Sequence, residues 1–336
     1  MIFRKIIKRL PKALSINLLH LLIIIIIAVM ILSCDSSVGP NHTNFEPGPI
    51  LFVSNKSGTW QLWSMEVDGS NVKQLTHDPD SPIFNARWSP DGTKIAFESY
   101  APNINPPYDF TRAIYIMNED GTGIRQITNP PTGFRMWGDG IMVWSPDGKK
   151  IAFRRHIPPE VAGYFVTFFV DLETGKEKWF HDRIWGVNGW FSDGEKLLIS
   201  CCKSREMPVK LAIMDINGNI LRELLSENWI YAILSQDGNK IALSFLEDLY
   251  ILESDFNNLI QITSGIYRGF PQVFSPDGNR IIYIEEHESK YPGSPTPIRF
   301  RPRYLKIIDI ITREEKDISP FNYRDGEFRV GGWRDR

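Results

Sequence analysis

Cysteine is scarce, with three in 336 residues, too few for the disulfide framework of a small secreted scaffold. Histidine is nearly as rare at six, and no pair has the His-x-x-x-His spacing of a helix-borne zinc site. No Gly-x-Ser-x-Gly occurs, which removes the nucleophile elbow of an α/β-hydrolase. No Asp-x-Asp-x-Asp-Gly occurs either, so there is no EF-hand type of calcium loop. Excess positive charge is also missing: 38 Lys+Arg stand against 40 Asp+Glu, a formal charge of −2. That argues against nucleic acid, whose binding relies on basic patches. Outside the N-terminus no stretch sustains a 3.6-residue apolar period, so helices should be scarce.

What the chain has instead is a repeat. Trp88-Ser89-Pro90-Asp91-Gly92 returns as Trp144-Ser145-Pro146-Asp147-Gly148, Trp190-Phe191-Ser192-Asp193-Gly194, Leu234-Ser235-Gln236-Asp237-Gly238 and Phe274-Ser275-Pro276-Asp277-Gly278. A stub, Gly332-Trp333-Arg334-Asp335-Arg336, ends the sequence. Each full copy leads into an apolar run such as Lys94-Ile95-Ala96-Phe97. Proline presets φ, aspartate can bond its own backbone and glycine supplies φ > 0, so each phrase reads as strand, tight turn, strand. A second hairpin follows, turning at Asp68-Gly69, Asp120-Gly121, Thr174-Gly175, Asn217-Gly218, Asn257-Asn258 and Thr312-Arg313. Four short strands per unit match the blade of a β-propeller.

The fold expected is therefore all-β, a six-bladed β-propeller of four-stranded antiparallel blades. The first unit has Ile50–Val53, read as an outer strand, and a hairpin, but no inner strand. The chain ends on Phe328–Trp333, an inner strand without a blade. The C-terminal strand should thus close the ring within the first blade, leaving no open edge. Residues 49–336 number 288, or 48 per blade. The large residue heading each phrase reads as core between adjacent blades.

Trp-Ser-Pro-Asp-Gly-x-Lys-Ile-Ala-Phe, with Ile114-Tyr115-Ile116-Met117 and Gln126-Ile127-Thr128 after it, closely resembles the repeat of TolB-like propellers (the WD40-like, or PD40, repeat). Residues 88–97, 114–128 and 144–153 match best, with echoes at Gln74-Leu75-Thr76 and Gln261-Ile262-Thr263. The resemblance covers nearly all of the chain after its leader and implies a periplasmic propeller. The family's namesake carries a further N-terminal α/β domain, for which this sequence leaves only a short linker. Similar propellers in prolyl-oligopeptidase-type peptidases accompany a hydrolase domain, whose Gly-x-Ser-x-Gly signature is lacking here.

The first 33 residues read as a secretion signal: Arg4, Lys5, Lys8, Arg9 and Lys12 precede an apolar stretch from Leu21 to Leu32. Ile31-Leu32-Ser33-Cys34 resembles the bacterial lipobox, which implies lipidation at Cys34 and a membrane tether. The alternative is an uncleaved anchor. Residues 34–48 read as a flexible tether and 49–336 as the propeller. Loss of the signal leaves 33 Lys+Arg against 40 Asp+Glu, a formal charge of −7. Cys201 and Cys202 are adjacent in a predicted strand, where neighbouring side chains face opposite sides.

The Ser-Pro-Asp-Gly and Asp-Gly turns should share one face of the propeller. The other face collects longer, irregular connections: Ser99–Arg112, His156–Tyr164 and Glu288–Arg303 within blades, and Asn129–Asp139, His181–Val187, Gly265–Gly269 and Pro320–Glu327 between them. The candidate binding residues there are Arg135, Trp137, Arg154, Arg155, His156, His181, Arg183, Trp185, Trp229, Tyr267, Arg268, Tyr323 and Arg324. Tyr, Trp and Arg dominate binding hot spots, and suit carboxylates or sugars. The four propeller histidines, His77, His156, His181 and His287, lie in separate blades. Oligogalacturonate lyases resemble this repeat and use a His-bound metal, but no metal or cofactor is expected here. The expectation is a lipid-anchored, non-catalytic propeller binding an envelope protein or glycan. A polysaccharide lyase or hydrolase with its site in the channel mouth is the alternative, and a purely structural module a third reading.

Overall fold

A computed structural model describes residues 47–102, 111–131, 138–156, 165–182, 184–201, 210–225, 229–245, 247–253, 255–265, 269–286, 289–290, 299–300, 303–320 and 328–335. The signal, Cys34 and most of the tether lie outside the described residues, as does Cys202.

The described residues form strands and turns without a helix. The first sheet holds β1 (Pro47–Ser54), β2 (Gln61–Met65) and β3 (Lys73–Gln74). Next come β4 (Asn85–Trp88), β5 (Lys94–Tyr100), β6 (Arg112–Asn118) and β7 (Arg125–Gln126), then β8 (Gly138–Trp144), β9 (Lys150–His156), β10 (Phe165–Asp171) and β11 (Glu177–Asp182). These two antiparallel sets are joined by one parallel pair, Arg112 with Gly138. Two further four-stranded sheets follow. One holds β12 (Ile184–Trp190), β13 (Lys196–Cys201), β14 (Lys210–Asp215) and β15 (Ile220–Leu225), the other β16 (Trp229–Leu234), β17 (Lys240–Phe245), β18 (Asp248–Glu253) and β19 (Leu259–Gln261). The last set is β20 (Gly269–Phe274), β21 (Arg280–Glu286), β24 (Arg303–Asp309) and β25 (Glu315–Asp317), with a short hairpin of β22 (Ser289–Lys290) and β23 (Arg299–Phe300) between its middle strands. The final strand, β26 (Phe328–Asp335), pairs with β1. None of these sheets closes on itself.

Turn chemistry explains the repeated phrase. Ser89 Oγ donates to Asp91 Oδ1 at 2.6 Å, Asp91 Oδ1 accepts from Thr93 N, and the Ser89 hydroxyl accepts from Lys94 N at 2.9 Å. Ser145 with Asp147 and Ser235 with Asp237 repeat this at 2.6 Å. Gly92 sits at φ 70°, open to glycine and strained for other residues. Where the third copy puts Phe191 in the serine position, Lys196 Nζ takes over, 2.6 Å from Asp193. The Gln-Ile-Thr echo has its own cause: the hydroxyls of Thr76, Thr128 and Thr263 accept a backbone N–H of the neighbouring strand, from Leu62, Ile114 and Leu249.

The serine hydroxyls hold Asp91 and Asp147 below the ordinary carboxylate value of 3.8. A depressed carboxylate contributes stability above its unfolded value, and that contribution is lost as pH falls through the folded one. Ser145→Ala should therefore cost about 1 kcal/mol at neutral pH. In thermal melts its deficit should shrink below pH 4; a deficit constant down to pH 2 would sink this account.

Second strands such as Ile95–Ser99 are buried on both sides because the sheets pack face to face. The core divides into clusters, each shared by successive sheets. Leu51, Val53 and Leu62 meet Ile95, Phe97 and Met117, while Ala96 and Ile114 meet Met142, Ile151 and Phe153. The series continues through Ala152 and Phe169 with Leu197 and Met214, Leu198 and Leu211 with Ile241 and Leu243, and Ala242 and Leu249 with Ile281 and Tyr283. It returns with Ile282, Ile284 and Leu305 against Ile50, Phe52 and Trp333. The residues heading each phrase all join these clusters, Trp190, Phe274 and Trp333 buried and Trp88, Trp144 and Leu234 partly so.

Ile50–Val53 differs from its sequence reading. It lies second in its sheet, between β26 and β2, because an uninterrupted apolar run needs neighbours on both edges and both faces. The connection expected over His181–Val187 is strand on both sides of Arg183, and Trp229 opens β16 instead of ending a loop. Ile184 and Val187 are buried, and bulges around Gly186 and Gly189 let this irregular segment pair with β13.

Candidate arginine–glutamate site

The two kinds of turn lie side by side at one end of the sheets. Glu119 N donates to Thr93 O at 3.2 Å, Leu172 N to Lys149 O at 2.9 Å and Ile216 N to Glu195 O at 2.9 Å. The opposite end carries the starts of β4, β6 and β8 and the ends of β5 and β9, and polar side chains gather there.

Glu98, on β5, is 4% exposed although charged. Its Oε1 accepts from Ile141 N at 2.9 Å and from Asn85 Nδ2 at 3.2 Å, and its Oε2 faces Arg112 Nη1 at 3.4 Å. Gly140 makes this approach possible, since a Cβ there would lie 3.1 Å from Glu98 Oε2. Ile141 adopts φ 48°, a strained conformation for a β-branched residue. Gly138 plays the same part for Arg112, whose backbone N and O would be 2.4 and 2.3 Å from an added Cβ.

Two more arginines, Arg87 and Arg154, lie near enough to Glu98 to feel its charge. Arg87 Nη1 donates to Asn85 Oδ1 (2.9 Å), Ala86 O (2.9 Å) and Gly331 O (2.7 Å), all neutral acceptors. Burial pushes Arg87 below its ordinary value, against the pull of Glu98. Burial pushes Arg154 down to about 10, with Glu98 opposing and Arg112 adding repulsion. Both side chains are half-buried.

Arg155, one position on, points to the other face of its strand. Its Nε and Nη2 meet Asp139 Oδ1 and Oδ2 at 2.6 and 2.8 Å, and Nη1 and Nη2 meet Glu177 at 2.6 and 3.0 Å. The guanidinium also lies 4.7 Å from the Phe168 ring centroid. Desolvation opposes the charge on Arg155, but the two carboxylates outweigh it and hold the group above its ordinary value. Burial pushes Asp139 up to about 6 against the pull of Arg155. The two partners thus lean opposite ways, and the forked geometry decides for the ionised pair at neutral pH.

Of the residues singled out in the sequence, Arg154, Arg155 and His156 lie together at the end of β9, with Arg154 beside Glu98 and Arg155 in the strut. The backbones of His181, Trp185 and Trp229 belong to β11, β12 and β16. Arg135, Trp137, Arg183, Tyr267, Arg268, Tyr323 and Arg324 lie outside the described residues, as does His287. His77 is exposed. Sequence reading missed Arg87, Glu98 and Arg112. A signal was present, since Glu98 interrupts an otherwise apolar strand.

No protein-family model matches the chain. An uncharacterized protein of Agrobacterium fabrum, Atu1656, is 32% identical over 115 residues, covering 33% of this chain and 37% of its own length. A TolB homolog of Chlorobium luteolum is 28% identical over 169 residues, covering 38% of this chain and 35% of its own. The chain thus spans little more than a third of these curated relatives. Among solved structures, TolB from Acinetobacter baumannii superposes with a TM-score of 0.66 at 22% identity, over 85% of this chain and 66% of that one. The putative TolB of Agrobacterium tumefaciens gives 0.59 at 15% identity, over 86% of this chain and 99% of that one. The chain is a TolB-like β-propeller. An oligogalacturonate lyase solved with manganese also shares the propeller fold, with a TM-score of 0.53 at 13% identity over 80% of this chain and 73% of that one. In this propeller, no group of three or more His, Cys, Asp or Glu side chains among the described residues is placed to hold a metal ion.

Proposed function

We propose that this TolB-like propeller is a six-bladed, non-catalytic binding module of the bacterial cell envelope, tethered by lipid on Cys34 through residues 34–48, and that its partner is a protein. Six clusters of core residues shared by successive sheets, the last sheet with the first, support a ring of six blades over residues 49–336. The inner strands follow the same order, β26 beside β4, β4 beside β8, and so on to β20 beside β26. In that ring the C-terminal strand closes the first blade. The resemblance of its leader to a lipobox supports the tether.

The observation that carries the binding reading is the difference between the two ends of the sheets. At the turn end the aspartates and hydroxyls satisfy one another. At the other end Arg112 pairs with Glu98, Arg87 shares Asn85 with it, and Tyr231 on the inner strand β16 stays 52% exposed against Phe270. Arginine and tyrosine on a rigid rim are what a protein partner uses as anchors.

Photo-crosslinking side chains placed at Trp137, Tyr267 or Tyr323 of the cell-expressed protein should capture one discrete envelope protein, whereas placements at Asp68 or Asp120 should capture none. Equal capture from both ends would overturn the docking face. Cys34→Ser should move the protein from the detergent to the aqueous phase in a detergent partition; an unchanged partition would remove the lipid tether.

A further inference from the structure

In the first sheet the place of a Ser-Pro-Asp-Gly turn is taken by the two ends of the described chain. Pro47, where β1 begins, pairs with Asp335, where β26 ends. Arg334 marks which end of the sheets this is. Its guanidinium donates to Gly92 O, in the turn after β4, and meets Glu119, in the turn after β6, at 2.6 Å. Both partners belong to the turn end, so the chain enters the propeller there. Residues 35–46, 12 in number, separate Cys34 from Pro47. A flexible segment of that length spans about 20 Å on average and about 40 Å fully drawn out. The loop-rich end lies the length of β1 away, 8 residues, or about 25 Å at the rise of a strand. Bringing that end to the bilayer would lead the tether around the edge of the sheet and hold it near full stretch. Bringing the turn end there leaves the tether slack.

The same end carries side chains suited to a lipid surface. Ile124, just before β7, is 55% exposed, and Ile311, in the turn between β24 and β25, is 75% exposed. Ile216 and Ile220 are exposed on either side of the turn between β14 and β15. The turns do not need these residues, since hydrogen bonds such as Thr122 N to Asp120 and Ile311 N to Asp309 set their geometry. Single exposed aliphatic residues are ordinary on a protein surface. Here they recur on the hairpin tips of three sheets, at the end where the tether attaches. We propose that the propeller rests with its turn end against the membrane that holds its lipid, with Ile124, Ile216 and Ile311 touching the headgroup layer. The loop-rich end then faces away and meets a protein outside that membrane. The proposal rests on the reading of Cys34 as lipidated. Tethering makes the contact intramolecular, so the isoleucines need little affinity of their own. Turn carboxylates such as Asp68 and Asp120 are repelled by anionic headgroups, which leaves the contact to the apolar tips.

The test places the cell-expressed full protein on phosphatidylcholine vesicles that carry a quencher on a fraction of their headgroups. A single fluorophore sits either at Ser70, in the turn between β2 and β3, or at Ser57, between β1 and β2 at the opposite end. Both positions are exposed. Quenching at Ser70 should be several-fold stronger than at Ser57. The combined variant Ile124→Ser, Ile216→Ser, Ile311→Ser should lose about half of the quenching at Ser70 while still sedimenting with the vesicles. All three side chains are exposed, so its melting temperature should match the parent's. Equal quenching at the two positions, or stronger quenching at Ser57, in protein that sediments with the vesicles overturns the orientation alone. Quenching at Ser70 unchanged in the combined variant overturns the contact through the isoleucines. A parent protein that stays in solution overturns the tether and the orientation together, so the two failures are told apart by sedimentation.

Discussion

Trp333→Ala is expected to cost about 3–5 kcal/mol in urea unfolding, the range for removing a large aromatic from a core. Trp333 is 6% exposed and sits in a cluster that joins the first and last sheets, among Ile50, Phe52, Ile282 and Leu305. Arg280 lies over its ring at 5.2 Å. The strand that carries it pairs with β1 through Ile50, Leu51, Phe52 and Val53, so a cavity here loosens both the sheet and the contact between sheets. Trp333 Nε1 is buried without a hydrogen-bond partner among the described residues. Trp333→Phe should consequently be mild, below about 1.5 kcal/mol, because it keeps most of the volume and removes an unsatisfied donor. Ile311→Ala, at a side chain 75% exposed, supplies the baseline and should stay within about 0.5 kcal/mol of the parent. If Trp333→Ala were no worse than Ile311→Ala, the C-terminal strand would not be holding the first sheet to the last.

Arg155→Met should be comparably damaging, at about 3–5 kcal/mol, because it strands Asp139 and Glu177 beside one another without their cation. The double variant Arg155→Met, Asp139→Asn should recover part of the loss, and a double-mutant cycle measures the coupling. Asp139 also makes the strut respond to pH. Its ordinary value is 3.8, and burial pushes it up to about 6. Between those limits the folded chain binds more protons than the unfolded chain, so this group's contribution to stability falls as pH rises from about 4 to 6. The parent should therefore gain melting temperature between pH 7 and pH 5 relative to Asp139→Asn. Parallel pH profiles for the two proteins would contradict this.

The turn aspartates lean the other way and act lower on the pH scale. Asp91, Asp120 and Asp147 are all held below their ordinary value, chiefly by hydroxyls within two residues. The range of each effect explains which was legible in the sequence. A turn is made by residues at most five positions apart, so Ser-x-Asp-Gly announces it directly. Asp139 is pushed up by burial between packed sheets, against the pull of Arg155 on the next strand, and nothing near it in the chain announces that.

The same distinction separates strands from site. Runs such as Lys94-Ile95-Ala96-Phe97 declare buried strands, and the repeat declares stacked sheets, because both depend on local alternation of apolar and turn residues. The register shifts of β12 were not legible, since bulges at Gly186 and Gly189 depend on pairing with β13. Nor was the position of Ile50–Val53, whose neighbour on one side comes from the far end of the chain.

By itself the sequence determined an all-β repeat, its turns and the residues that head each core cluster, because all of these follow from hydrogen bonds and burial patterns within one unit. Only the tertiary structure decided that β26 pairs with β1, and that Arg112, Asn85 and the Ile141 N–H converge on one buried glutamate. Those outcomes depend on close approaches at Gly138, Gly140 and Gly331 between strands of different repeats. Such approaches are set by how sheets pack, and packing has no local signature.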